Sequence, residues 1–260
     1  MGAHMREILE AVAAGEVTAA EAEATLSGYA TTGAGRFDAA RERRSGVPEA
    51  ILGSGKTAGE IADLAATAIG TTGRAIVTRV DGAGAAAVRR RLAESAPDAT
   101  VRWDERARWL VATAPEFERP AIDAGVGVVT AGTSDAVPAG EAAMIAREMG
   151  ADVTRIDDAG VASLARTIDA VSRLREQDVL VVAAGREGAL PTVVAGLVDV
   201  PVIGLPVSTG YGHGGEGDAA LSGMLQSCTA LSVVNIDAGF TAGTQAGLIA
   251  RQVATARDGR

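Results

Sequence analysis

Five short apolar runs in the second half of the chain, each followed by a stretch of helical periodicity, limit the fold more than any other feature. The runs are Val126–Thr130, Val153–Ile156, Val179–Ala183, Val202–Leu205 and Val233–Ile236. Helical patterns lie between and after them, at Gly140–Met149, Val161–Leu174, Leu190–Leu197, Asp218–Gln226 and Ala242–Thr255. A run that is apolar at every position must be covered on both faces. Strands of that kind alternating with helices give a parallel sheet between helix layers. The expectation for residues 119–260 is an α/β domain with a doubly wound parallel sheet in three αβα layers.

The first half has another rhythm. From Arg6 to about Tyr29 apolar and acidic residues alternate at helical spacing, which predicts a two-helix surface element, with Thr18 as N-cap and Glu21 completing a capping box. Polar stretches cover 37–48 and 49–57. They precede a helix from Ala58 to about Ile69, a strand Arg74–Arg79, a helix Gly82–Ser95, and strands Thr100–Asp104 and Arg108–Thr113. This predicts a small α+β domain over residues 5–118, with the boundary near 116–123. Residues 1–4 read as an expression-vector remnant and carry no weight.

Composition narrows the function classes. Of 260 residues 47% are hydrophobic but only 3% aromatic, so the core must be Ala, Val, Leu and Ile packed tightly. No apolar stretch approaches the roughly 18 residues a membrane span needs, and no signal pattern opens the chain. The one cysteine, Cys228, has no internal disulfide partner, which fits a reducing, cytoplasmic setting. A net charge of −9 argues against nucleic acid, while leaving room for a local basic pocket. Lys56 is the only lysine among 24 cationic residues, and a compact ammonium differs in use from a guanidinium.

In open parallel sheets ligands sit beyond the carboxyl ends of the strands. The segments there are 131–135, 184–191, 206–212 and 237–243, rich in glycine, hydroxyls and a few carboxylates. Glycine lets the backbone approach a ligand, and free amides at a helix start hold phosphate. Plainer readings stand beside these. Gly132–Asp135 is also a plausible helix N-cap ahead of Pro138, Glu187 a solvated turn residue, and Cys228 an inert thiol. His213 reads as solvated or as a pocket rim, and without a second native histidine a histidine-built metal site is not expected. The stretch Gly53–Thr57 suggests a triphosphate loop. That motif fails because Ala50 stands where glycine is required and no apolar strand leads in. A lysine in a glycine-rich loop can still meet an anion as a point charge.

Several motifs in one order carry a family resemblance: Val129–Asp135, Ala184–Pro191, Pro206–Gly212, Met224–Cys228 and Val233–Phe240, preceded by Asp38, Arg41, Arg44, Gly46, Pro48, Glu49, Gly53, Gly55, Lys56 and Thr57. Together they resemble the LarB family of nickel-pincer cofactor biosynthesis, whose C-terminal half is similar to PurE, the aminoimidazole ribonucleotide carboxylase or mutase. The resemblance implies a PurE-like C-terminal domain and a homo-oligomer, an octamer. It also implies a carboxylase and hydrolase that turns nicotinic acid adenine dinucleotide, CO2 or bicarbonate, and water into pyridinium-3,5-biscarboxylic acid mononucleotide and AMP. Mg2+ is associated with that activity; its ligands are left unassigned, Glu187 being a candidate for either the general base or a phosphate-side metal contact, and no prosthetic group is expected.

By the same resemblance Cys228 is the nucleophile that adds to the pyridinium ring, and Glu187 the base, with Asp38 also catalytic. Substrate binding falls to Gly132, Thr133, Ser134, Asp135, Gly185, Gly188, Ser208, Gly210, Tyr211 and Gly212, and, from the N-terminal motif, to Lys56, Arg41 and Arg44. His213 and Glu216 depart from the smaller or apolar residues expected in their loop. Two alternatives stay open: a PurE-type enzyme on aminoimidazole ribonucleotide, which needs a histidine proton carrier, and a non-catalytic nucleotide-binding regulatory module.

Overall fold

The computed structural model describes residues 2–19, 22 and 28–259. The chain divides into two compact units, 1–118 and 119–260. No helix among the described residues is long and apolar enough to cross a membrane.

The first unit opens with α1 (Gly2–Ala13), which takes in residues 2–4. Glu21 of the predicted Thr18 capping box lies outside the described residues, as does most of the second predicted helix. A small hairpin, β1 (Ala30–Thr32) with β2 (Gly35–Phe37), leads to the short α2 (Arg41–Ser45). Then come β3 (Ile51–Leu52), α3 (Ala58–Thr72), β4 (Arg74–Thr78), α4 (Gly82–Ser95) and the hairpin β5 (Thr100–Asp104) with β6 (Trp109–Thr113). α3 starts on a capping box in which Thr57 and Glu60 exchange backbone and side-chain bonds, and α4 starts where Asp81 accepts the Gly84 amide. The sheet runs β3-β4-β6-β5, with β3 and β4 parallel. Ile61, Leu64, Ala65, Ala68, Val77, Val88, Leu92 and Leu110 close the core between sheet and helices.

One expectation fails here. A strand does lead into the glycine-rich loop: Ile51 and Leu52 pair with Val77 and Thr78. Two residues are too few to show as an apolar run, and only the pairing with β4 makes them a strand.

The second unit is α/β, with five parallel strands in the order β11-β10-β9-β7-β8. They are β7 (Gly125–Thr130), β8 (Asp152–Ile156), β9 (Val179–Ala184), β10 (Val202–Pro206) and β11 (Ser232–Val233). α5 (Ala136–Glu148) and α9 (Gly239–Asp258) cover one face; α6 (Leu164–Arg173), α7 (Ala189–Ala195) and α8 (Asp218–Leu225) cover the other. The period of two along a strand sorts the residues. Val179, Val181 and Ala183 join the α5/α9 core, and Leu180, Val182 and Ala184 the α6/α7/α8 core. This is the doubly wound fold the sequence predicts.

The small residues have a specific use. Ala242, Ala246, Ala250 and Ala254 of α9 face the sheet, while Gly239, Gly243 and Gly247 bring α9 against α5. A Cβ on Gly243 would lie 2.3 Å from Ile145 Cγ2 and 2.4 Å from the Ala142 carbonyl. Close packing of these helices, which the sequence also allows across subunits, is thus realised inside one chain. β11 is shorter than predicted. Val234 still donates to the Gly204 carbonyl at 3.1 Å and Asp237 to the Pro206 carbonyl at 2.9 Å, but the chain has left strand geometry. α6 begins at Leu164 rather than Val161, which frees Val161 and Ala162 for the pocket described next.

Candidate active site

In the sheet order of the second unit the chain passes from β7 to β8 on one side and then to β9 on the other. At such a reversal the loops diverge and leave a crevice beyond the strand ends. A pocket of about 570 Å3 lies there, walled by the segments that follow β7, β8, β9 and β10.

The segment after β7 sets its floor. Thr130 is fully buried, donates to Asp157 at 3.2 Å and accepts the Asp158 amide at 3.1 Å, tying β7 to the end of β8. Thr133–Asp135 then form one 3-10 turn that runs into α5. Asp135 folds back under this turn, accepting the Gly132 amide at 2.8 Å and the Thr209 hydroxyl at 3.1 Å. It is only 4% exposed. Burial pushes its carboxyl above the usual value of 3.8, and the bonds from Gly132 and Thr209 only partly offset that desolvation. Ser134 stays exposed on the wall.

The segment after β9 supplies the opposite wall. A Cβ on Gly185 would stand 2.7 Å from Thr209 Oγ1 and 3.3 Å from Asp135 Oδ1, so only glycine lets the two loops meet over the carboxylate. Gly188 caps α7 at φ 68, a left-handed conformation that favours glycine. Between them Arg186 and Glu187 are held out into solvent. The Arg186 guanidinium lies 4.2 Å from the Tyr211 ring centroid and also bonds its hydroxyl. Glu187 lines the pocket and bonds no group among the described residues. Arg166 reaches in from α6 and is anchored by Asp158 at 2.6 Å.

The pocket therefore gathers Gly132, Ser134, Asp135, Gly185, Glu187, Gly188 and Tyr211 from the residues the sequence singles out. Thr133, Ser208, Gly210 and Gly212 belong to the same loops but do not line it. Ser208 instead donates its amide to Asp237 at 3.0 Å, which fixes the loop after β10. His213 and Glu216 are exposed, Glu216 in the left-handed region at φ 59. Thr209, Arg166 and Arg186 are wall residues that sequence reasoning passed over. Arg186 and Thr209 sit inside loops already flagged by their place after a strand, whereas Arg166 is a helix-surface arginine with no signal of its own.

The expected meeting of Cys228 with Ser134 and Asp135 is not made within one chain. Cys228 is exposed in the loop that leads into β11. In a parallel sheet every strand begins on one side and ends on the other, so this loop enters where the pocket does not open. Its neighbours Ser227 and Thr229 are pinned to Thr192 of α7 at 2.9 and 3.3 Å.

The remaining predicted residues belong to the first unit and separate into two groups. Asp38 pairs with Arg44 through two bonds of 3.2 and 2.6 Å, and Arg41 with Glu49 at 2.8 Å. The Arg44 hydrogen bond holds the Asp38 carboxyl below its usual value. That suits Asp38 to anchoring Arg44 more than to moving protons near neutral pH. Lys56 lies apart from these pairs, in the loop after β3.

No three His, Cys, Asp or Glu side chains converge to hold a metal ion among the described residues. Among the described residues of one chain, Glu187 is the exposed carboxylate on the pocket wall that could meet Mg2+.

Residues 125–260 match the AIR carboxylase family, and residues 29–114 match the LarB/PurE-like N-terminal domain. An uncharacterized protein of Methanocaldococcus jannaschii is 36% identical over 266 residues, covering 96% of this chain and 98% of that protein.

Proposed function

The chain belongs to the LarB family with a PurE-like C-terminal domain, and from that premise we propose that it carboxylates C5 of the pyridinium ring of nicotinic acid adenine dinucleotide and hydrolyses the phosphoanhydride. The products are pyridinium-3,5-biscarboxylic acid mononucleotide and AMP. A carboxylase-related role follows from the family; the substrate and the hydrolysis are proposed. The observation that supports it is the make-up of the pocket: a solvent-facing Glu187 with no bonded partner among the described residues, on a wall that also carries Arg166 and Arg186 and no histidine. Within one chain a purine-type reaction finds no histidine on this wall, since His213 lies outside the lining.

The chemistry sets what the residues must do. A pyridinium C5 is electron-poor and does not attack CO2. Addition of the Cys228 thiolate at C4 gives a dihydropyridine whose enamine carbon C5 is nucleophilic. C5 then bonds the carbon of CO2, Glu187 removes the C5 proton, and the freed electron pair restores the aromatic ring as the C4–S bond breaks. Sulfur suits this because thiolate both attacks and leaves well. Ser134 and the amides around Gly132 and Gly185 hold the ribose and phosphate, with Arg166 and Arg186 facing the anionic groups. Lys56, Arg41 and Arg44 serve anionic groups from the first unit, with Asp38 orienting Arg44.

Because Cys228 does not line the pocket and its loop enters at the amino end of β11, the reading takes the thiol from a second copy, within a homo-oligomer. Incubating the purified protein with the dinucleotide, bicarbonate and Mg2+ tests the function. AMP and a mononucleotide heavier by one carboxylate support it; ligand binding without either product overturns it and favours a binding module.

A further inference from the structure

The first unit has a cavity of its own, of about 430 Å3, beyond the carboxyl ends of β3 and β4. Three loops meet there: 53–57 after β3, 79–83 after β4, and the β5–β6 turn at Arg108. The backbones come close, since a Cβ on Gly53 would stand 2.9 Å from the Arg79 carbonyl. β3 and β4 are parallel neighbours joined through α3. This is the strand–helix–strand arrangement whose carboxyl edge receives anionic ligands in larger sheets.

The walls carry three cations, Lys56, Arg79 and Arg108, against one carboxylate, Asp81. Asp81 accepts the Gly84 amide at 2.7 Å as N-cap of α4, and Glu60 of α3 interacts with Lys56, which leaves one cation in excess. Lys56 Nζ donates to the Leu52 carbonyl at 3.0 Å, which holds the ammonium over the strand end. Arg79 and Arg108 both sit in the left-handed region, at φ 52 and 56, which is unfavourable for arginine. α3 and α4 both begin at this edge. Ala58 and Ala83 on the wall belong to their first turns, whose amides have no intrahelical acceptor and form the positive ends of the helices. Such a concentration of positive charge, in a chain of net charge −9, is local rather than compositional.

We propose that this cavity is an oxyanion site for a phosphate group, either free or the monoester of a nucleotide. The proposal shares Lys56 with the dinucleotide reading above but rests on the walls of this cavity alone.

The chain's only two tryptophans, Trp103 and Trp109, lie in this unit. Trp109 follows Arg108 in sequence, and Trp103 lies 3.6 Å from where a Cβ on Gly82 would stand. Neither lines the cavity, so binding is read by titration calorimetry alongside their emission. The full chain is titrated at constant ionic strength with inorganic phosphate, with AMP and with adenosine. A saturable change with phosphate or AMP but not with adenosine is expected, weakened about 10-fold or more in the double variant Arg79→Asn, Arg108→Asn. Asparagine tolerates the left-handed region, so this variant should keep its melting temperature, and Lys56→Gln provides an independent loss. Tighter AMP than phosphate binding assigns a nucleotide phosphate; equal binding assigns a simple oxyanion. Absence of saturation with either probe up to about 10 mM, or unchanged affinity in the double variant, overturns the proposal. Product formation is measured separately, so failure here leaves the carboxylation reading standing apart from the role given to Lys56.

Discussion

The chain builds the carboxyl edge of parallel strands twice and furnishes the two edges differently. In the second unit, five strands with covered faces end in glycines and hydroxyls around a buried Asp135, with Glu187 held out into the pocket. In the first, two parallel strands end in Lys56 and Arg79, with Arg108 from the adjoining turn. The backbone logic is shared: strand ends, helix starts and a close approach of loops. The side chains decide the chemistry. An exposed carboxylate is equipped to take a proton, and a group of cations is equipped to hold an anion.

The sharpest way to break this contrast is to remove the reacting groups. Cys228→Ser should lower carboxylation by about 1,000-fold or more, as loss of a nucleophile does. Glu187→Gln should cost about 100- to 10,000-fold, the range for a general base. Co-expressed Cys228→Ser and Glu187→Gln chains should regain activity, because a mixed oligomer contains sites with both groups intact. If the mixture stays as dead as its parents, thiol and pocket do not come from different copies. Asp38→Asn should cost less than about 10-fold; a loss as deep as that of Glu187→Gln would put proton transfer in the first unit and erase the distinction.

Packing differs between the units in a way that one type of substitution exposes. Gly243→Ala pushes a methyl group into Ile145 and the Ala142 carbonyl and should destabilise by about 1–3 kcal/mol. Gly70→Ala in α3 meets nothing within 4 Å and should stabilise by about 0.5–1 kcal/mol through helix propensity. Thermal melts of the two variants should move in opposite directions.

The smallest effect is a difference in pH dependence. Burial raises Asp135, so above its ordinary value of 3.8 the folded state holds a proton that the unfolded state releases. Stability therefore falls as pH rises through that window, and Asp135→Asn should remove this part of the slope. Asp38 is shifted the other way, chiefly by its hydrogen bond from Arg44. Its contribution is present above 3.8 and is lost as pH falls through the lower folded value. Because the pair is largely solvated, Asp38→Asn should change stability by about 0.5 kcal/mol or less.

The strands and helices of the second unit were legible in sequence because each apolar run is buried on both faces and each helix carries its own period. β3 was not, since Ile51 and Leu52 are a strand only through their register with β4. Lys56 stood out by composition alone. Arg79 and Arg108 did not, being two arginines among many until a sheet edge and a hairpin turn brought them to one cavity.

By itself, then, the sequence determined the alternation of strands and helices, the small-residue core, and the loops where ligands meet strand ends, because these depend on local period and composition. Tertiary structure alone decided that Asp135 turns inward under Thr209, that Arg166 joins the wall, and that Cys228 enters on the far side of the sheet. Those facts depend on strand order and direction. They bring together or hold apart residues many positions distant, and no local pattern along the chain records them.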